Sequence, residues 1–229
     1  MARKKRIKLL NEKAYYHVFS RTVGKEFLLD SDEKKEFFIK IIERLTKFFA
    51  IKVKSFVVMS NHFHAILETC PEKKFSDEEL IERAKKANLF KSLVLKKEIN
   101  KLRKKINDIS EFMKLLKQIF AQWYNKKYNR TGYFWGERFK SILIQPGIHL
   151  LRCIIYILLN PVRAKMVKSP DKYKFSSLYK INKKYKKLIH KLMENKILEN
   201  YKNKNLNLYK NDILGNEDFI KKVKKLTFL

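Results

Sequence analysis

Cysteine is nearly absent: Cys70 and Cys153 are the only two in 229 residues. That excludes a disulfide framework or a four-thiolate zinc site, and a reducing cytoplasm is the simplest setting. Long apolar runs are missing too. Nothing approaches the ~20 residues of a membrane span, and the basic stretch Met1 to Leu10 lacks the apolar core of a signal peptide. No membrane partner is expected. Acidic residues are scarce: 23 Asp and Glu stand against 54 Lys and Arg, a formal charge of +31. Such a balance argues against an ordinary small-metabolite enzyme and calls for a polyanionic partner, nucleic acid first. AT-rich coding produces a similar Lys and Asn bias without selection for binding, and the acids are not raised alongside as in hyperthermophiles. Hydrophobic residues at 45% and aromatics at 13% exclude a disordered chain. The length suits one domain with appendages, or two small ones, with a real core.

Residues 14–23 alternate and are rich in β-formers, which predicts a strand. Ser31-Asp32 opens an amphipathic helix through Phe37, Phe38, Ile41, Ile42, Leu45, Phe48 and Phe49, ending near Ala50. Lys52 to Met59 reads as a second strand. Ser60-Asn61 is a turn, and His62 to Thr69 is a third strand, antiparallel to the second because the connection is so short. Residues 76–129 contain neither Gly nor Pro and read as two or three helices. Phe139 to Ile144 is a fourth strand. His149 to Leu159 is helical, with Asn160-Pro161 expected to end it. The order β-α-β-β-(helical insert)-β-α resembles an α+β, ferredoxin-like split βαβ sandwich with an antiparallel sheet and its helices on one face. The expected division is a domain over residues 1–179, with the insert at about 72–118, and a Lys-rich helical extension over 180–229.

Three segments carry candidate chemistry. In SFVVMSNHFHAILE, His62 and His64 are two apart, so on a strand they face one point, as a pair of neutral metal-binding imidazoles must. Two polar positions on a strand face explain the same pattern. In CIIYILLNPVRAKMV, Tyr156 and Asn160 share a helix face. A tyrosine hydroxyl can attack phosphorus when the phosphate is polarised, and an Asn oxygen suits Mg²⁺ or Mn²⁺. A core tyrosine and a plain helix stop are the alternatives. In YNKKYNRTGYFWGERFKSILI, Lys126, Lys127, Arg130, Arg138 and Lys140 interleave with Tyr133 and Trp135, a pattern that suits single-stranded or hairpin DNA. A helix end packed on the sheet by its aromatics accounts for it equally well. Arg21, at the end of YHVFSR, and Arg163, within the second of these motifs, are further candidate DNA contacts.

Taken in order, YHVFSR, VVMSNHFHAILE, WGERFKSILI, YILLNPVRAKMV and SPDKYKFSSLY resemble the single-tyrosine HUH transposases, above all the REP-associated tyrosine transposases and the related insertion-sequence transposases. The resemblance spans roughly residues 14–179. It implies a ferredoxin-like endonuclease that cuts and rejoins single-stranded DNA near hairpins. His62, His64 and Asn160 would hold Mg²⁺ or Mn²⁺, and Tyr156 would form a 5′-phosphotyrosine intermediate with release of a 3′-hydroxyl. It leaves open whether the site is built within one chain or across a homodimer. A catalytically inactive nucleic-acid-binding regulator of the same fold is the alternative, and the intact set His62, His64, Tyr156 and Asn160 argues against it. A structural zinc module built from His62, His64 and Cys70 lacks a fourth ligand.

Overall fold

A computed structural model describes residues 6–9, 12–70, 75–88, 96–179, 181, 186–187, 191 and 212–227. Alternating β-formers give β1 (Ala14–Arg21), β2 (Ile51–Val58) and β3 (His62–Thr69), the last two joined by a hairpin closed by Met59 N–H donating to the His62 carbonyl at 2.8 Å. Between β1 and β2 runs α1 (Asp32–Phe48). Ser31 caps it by accepting from the Lys34 N–H, and Asp32 and Glu33 complement its N-terminal dipole. Three helices follow β3: α2 (Asp77–Lys86), α3 (Lys96–Lys105) and α4 (Ile109–Lys127), the last running unbroken across residue 118. Next come β4 (Lys140–Ile144), α5 (Ile148–Leu158) and the short α6 (Asn160–Arg163). Near the end of the chain lie β5 (Ile213–Leu214) and α7 (Glu217–Thr227).

The strand order is β2-β3-β1-β4-β5. The first four strands form the antiparallel ferredoxin-like sheet, whereas β5 pairs with β4 in parallel, through Leu143↔Ile213 and Ile144↔Leu214. The sheet is therefore mixed, because a strand from the C-terminal extension has joined it. Most of the helix expected beyond residue 180 lies outside the described residues, and α7 is helical.

Helices cover both faces of the sheet, not one. Phe63, Ala65 and Leu67 of β3 turn toward α1, where Phe38 meets Phe63 at a ring separation of 4.6 Å, and α4 packs beside α1. The opposite face carries His17, His64 and Ile66, all buried, and α5 lies across it. Both faces of β3 are apolar or must be kept from water, so a single helical layer could not satisfy it.

The Asn160-Pro161 pair also departs from expectation. The chain passes from α5 straight into α6, with Arg163 N–H donating to the Leu159 carbonyl at 3.0 Å and Ala164 N–H to that of Asn160 at 2.9 Å. Proline is at home in a first helical turn, where its missing N–H would have had no partner anyway.

Trp135 belongs to the core. It is 9% exposed, packs against Phe38, Phe63, Phe120 and Phe134, and donates its indole N–H to the Lys117 carbonyl at 3.0 Å. No face is left for a DNA base, so Trp135 is a core residue and not the DNA contact expected from its sequence setting. Its loop lies close against β1: a Cβ on Gly136 would meet the Thr22 carbonyl at 3.1 Å. Trp135→Ala is expected to lower stability by about 3–5 kcal/mol, as aromatic truncations in a packed core do. Chemical denaturation measures this, and an unchanged midpoint would return Trp135 to the surface.

Candidate functional site

The register of β1 against β3 sets Phe19 opposite His64 and Arg21 opposite His62, on the face covered by α5. His62 and His64 stand side by side with ring centroids 5.1 Å apart. Burial holds the His62 imidazole down at about 4, helped by the nearby Arg21 cation. Burial also pushes His64 well below the usual range, with His17, His62 and Arg21 adding to the effect. Both rings are thus neutral at pH 7, the state in which an imidazole can give a lone pair to a metal.

Each ring has its Nδ1 engaged. His62 Nδ1 lies 2.6 Å from Asn61 Oδ1, and His64 Nδ1 lies 2.8 Å from Nε2 of His17, which is fully buried. Sequence reasoning did not single out His17 or Asn61. His17 sat within a strand whose partner was unknown, and Asn61 looked like a turn residue. Only the cross-strand register brings them to the pair.

From the other side, α5 presents Tyr156. Its neighbours Cys153, Ile155 and Ile157 are buried and anchor the helix. The Tyr156 ring stands edge-on to His64 at 6.4 Å and to His17 at 6.5 Å. The Arg163 guanidinium lies 4.7 Å from the ring centroid and donates to the Tyr156 carbonyl at 3.3 Å, so this candidate DNA contact also clamps the tyrosine. Asn160, one turn beyond, donates its Nδ2 to the carbonyls of Tyr156 and Ile157 at 3.2 and 3.0 Å. With the nitrogen spent on its own helix, Oδ1 is the end of the amide suited to a cation.

Among the described residues no group of three or more His, Cys, Asp or Glu is arranged to hold a metal ion. A divalent cation here would draw on two imidazole nitrogens and an amide oxygen. That donor set is chemically fit for such an ion and suits Mn²⁺ better than Mg²⁺, which prefers oxygen throughout.

The expected DNA contacts fall into different situations. Arg21, Lys126 and Arg138 are exposed and carry no ion pair among the described residues. Lys127 pairs with Glu33, Arg130 with Glu26 at 3.8 Å, and Lys140 with Glu137 at 3.8 Å. Tyr133 is 86% exposed, the most accessible large aromatic of the described residues.

The described site is thus a histidine pair facing a helix-borne tyrosine on one face of an α+β sheet. The family model described as IS200-like transposase matches residues 11–108. The matched stretch carries His62 and His64 and ends before Tyr156 and Asn160. The structure of the REP-associated tyrosine transposase bound to a REP hairpin is similar to this chain at a TM-score of 0.54 and 15% identity, over 78% of this chain and 84% of that one. At that identity the likeness is one of fold. A candidate transposase from Deinococcus radiodurans R1 is similar at a TM-score of 0.38 and 14% identity, over 72% of this chain and 92% of that one, an overlap that carries no argument. No curated protein matches the chain.

Proposed function

We propose that this chain cuts and rejoins single-stranded DNA beside hairpins, with Tyr156 as nucleophile. The observation that carries the reading is the His62–His64 pair with Tyr156 edge-on to it at 6.4 Å from His64. The phenol oxygen gives up its proton as it bonds to phosphorus. The bond from phosphorus to the 3′ oxygen breaks, and that oxygen leaves as a 3′-hydroxyl once it has taken up a proton. The DNA 5′ end stays on Tyr156 as a phosphodiester, and attack by a 3′-hydroxyl reverses the step without ATP. Mg²⁺ or Mn²⁺ held by His62, His64 and Asn160 would polarise the non-bridging phosphate oxygens. Arg163 steadies the ring, which in-line attack requires. The DNA-contacting set is Arg21, Lys126, Lys127, Arg130, Tyr133, Arg138, Lys140 and Arg163, on a catalytic unit of residues 1–179. Cys70 and Cys153 are free thiols, in keeping with a cytoplasmic setting, and among the described residues no helix is long and apolar enough to cross a membrane.

The test is a cleavage assay on labelled single-stranded hairpins taken from the DNA flanking the gene, with the covalent adduct trapped on a denaturing gel. A hairpin that is bound but never cut, with either metal, would leave a binding protein in place of an enzyme.

Salt dependence provides a separate check. Each neutralised phosphate of a single strand contributes a log–log slope of about −0.7. Arg21→Ala, Lys126→Ala and Arg138→Ala should each make the salt slope of hairpin binding shallower by roughly that amount. Slopes unchanged in all three variants would move the DNA to another face.

A further inference from the structure

We propose that Asn61 and His17 are positioning residues: Asn61 holds His62, and His17 holds His64, each with the ring proton on Nδ1 and the Nε2 lone pair left for a metal. The inference rests on the metal pair proposed above. The Asn61 amide cannot turn over, because its Nδ2 donates to the Lys25 carbonyl at 2.9 Å, so Oδ1 is the atom that faces the imidazole. An amide oxygen only accepts, so His62 Nδ1 must carry the proton. The Asn61 backbone is held as well, its carbonyl accepting from the N–H and the hydroxyl of Thr22, both at 3.0 Å.

For His64 the partner is a second imidazole. His17 and His64 are 0% and 2% exposed, with rings 5.0 Å apart and inclined by 28°. The 2.8 Å bond between His64 Nδ1 and His17 Nε2 is compatible with a free His64 Nε2 in one arrangement alone: His64 donates and His17 accepts. The proton of His17 then sits on its own Nδ1, which is buried and has no hydrogen-bond partner. A fold rarely keeps an unpaired polar atom in its core without a role for the group that bears it. Metal-binding histidines are generally oriented in this way, through the ring nitrogen that does not touch the ion.

The experiment uses the full chain, free of metal and DNA, labelled with ¹⁵N-histidine. With five histidines in the sequence, long-range ¹H–¹⁵N spectra at neutral pH report each tautomer separately. His62 and His64 should both carry the proton on Nδ1. Asn61→Ala should release His62 from that tautomer and weaken binding of Mn²⁺ alone by about 10–100-fold, the usual effect of losing such a partner. Asn61→Asp keeps an oxygen acceptor and should restore both. His17→Phe keeps a ring in the core and should release His64; if that variant does not fold, the wild-type spectrum decides the point. A proton on Nε2 of either ligand in the wild type overturns the assignment for that ligand, as does an Asn61→Ala variant with unchanged tautomer and Mn²⁺ affinity for His62. None of these readouts needs cleavage, so a chain that never forms an adduct can still pass, and an active nuclease can still fail.

Discussion

The Tyr156→Phe variant should bind hairpin DNA within about twofold of the wild type, because phosphate contacts by Lys and Arg supply most of the affinity, and it should form no covalent protein–DNA adduct. The substitution removes one oxygen and keeps the ring that Arg163 and the two buried histidines hold in place. Folding should therefore survive, and the loss should fall on chemistry alone. The competing tyrosines are separable by position. Tyr124 is 7% exposed, in the core, whereas Tyr133 is 86% exposed and could reach DNA with ease. Reach is not enough, since the nucleophile must be fixed in line with the scissile bond. Tyr128→Phe and Tyr133→Phe should keep the adduct. Denaturing gels with end-labelled hairpin decide it: an adduct surviving in Tyr156→Phe and missing from Tyr133→Phe would transfer the role.

His62→Ala is expected to lower cleavage by about 10³-fold or more, the scale of losing charge stabilisation at a reacting phosphate, with hairpin binding little changed. His62 is the better test of the pair. It is half-buried, and Asn61 can find water when the imidazole is gone. Truncating His64 would open a void and leave the second nitrogen of His17 unpaired, at about 1–3 kcal/mol, so lost activity there would mix chemistry with folding. Single-turnover rates with Mg²⁺ and with Mn²⁺ are the measurement. Full-rate cleavage by His62→Ala with either ion would sink the metal assignment.

Much of the fold was legible because local signals were strong. The alternation of AYYHVFSR and HFHAILET, the Ser31 cap and the short Ser60-Asn61 turn correspond to β1, β3, α1 and the hairpin. The spacing of His62 and His64 predicted a shared face because strand periodicity alone decides that. What escaped depends on distant partners. His17 meets His64 through pairing across 47 positions, and nothing local marks that register. Trp135 has the composition of a DNA contact, but its burial is set by Phe38, Phe63 and Phe120 from three other elements. Asn160-Pro161 reads locally as a stop because local rules cannot tell the end of one helix from the first turn of the next. β5 is too short to leave a pattern, and only its pairing with β4 reveals it.

The strand that joins β4 changes how this molecule can meet a copy of itself. On the far side of the sheet, the Phe175 carbonyl accepts from Val58 N–H and Ser177 N–H donates to the Phe56 carbonyl, both at 3.0 Å. Part of each rim of the sheet is thus occupied by the chain's own later residues, and unpaired rims are where sheets fuse from molecule to molecule. Two copies cannot merge their sheets at these positions unless one of these segments first lets go. A chain cut at residue 179 would lose β5 and bare the β4 rim, so its self-association would reflect an uncovered edge as well as any missing contact with DNA.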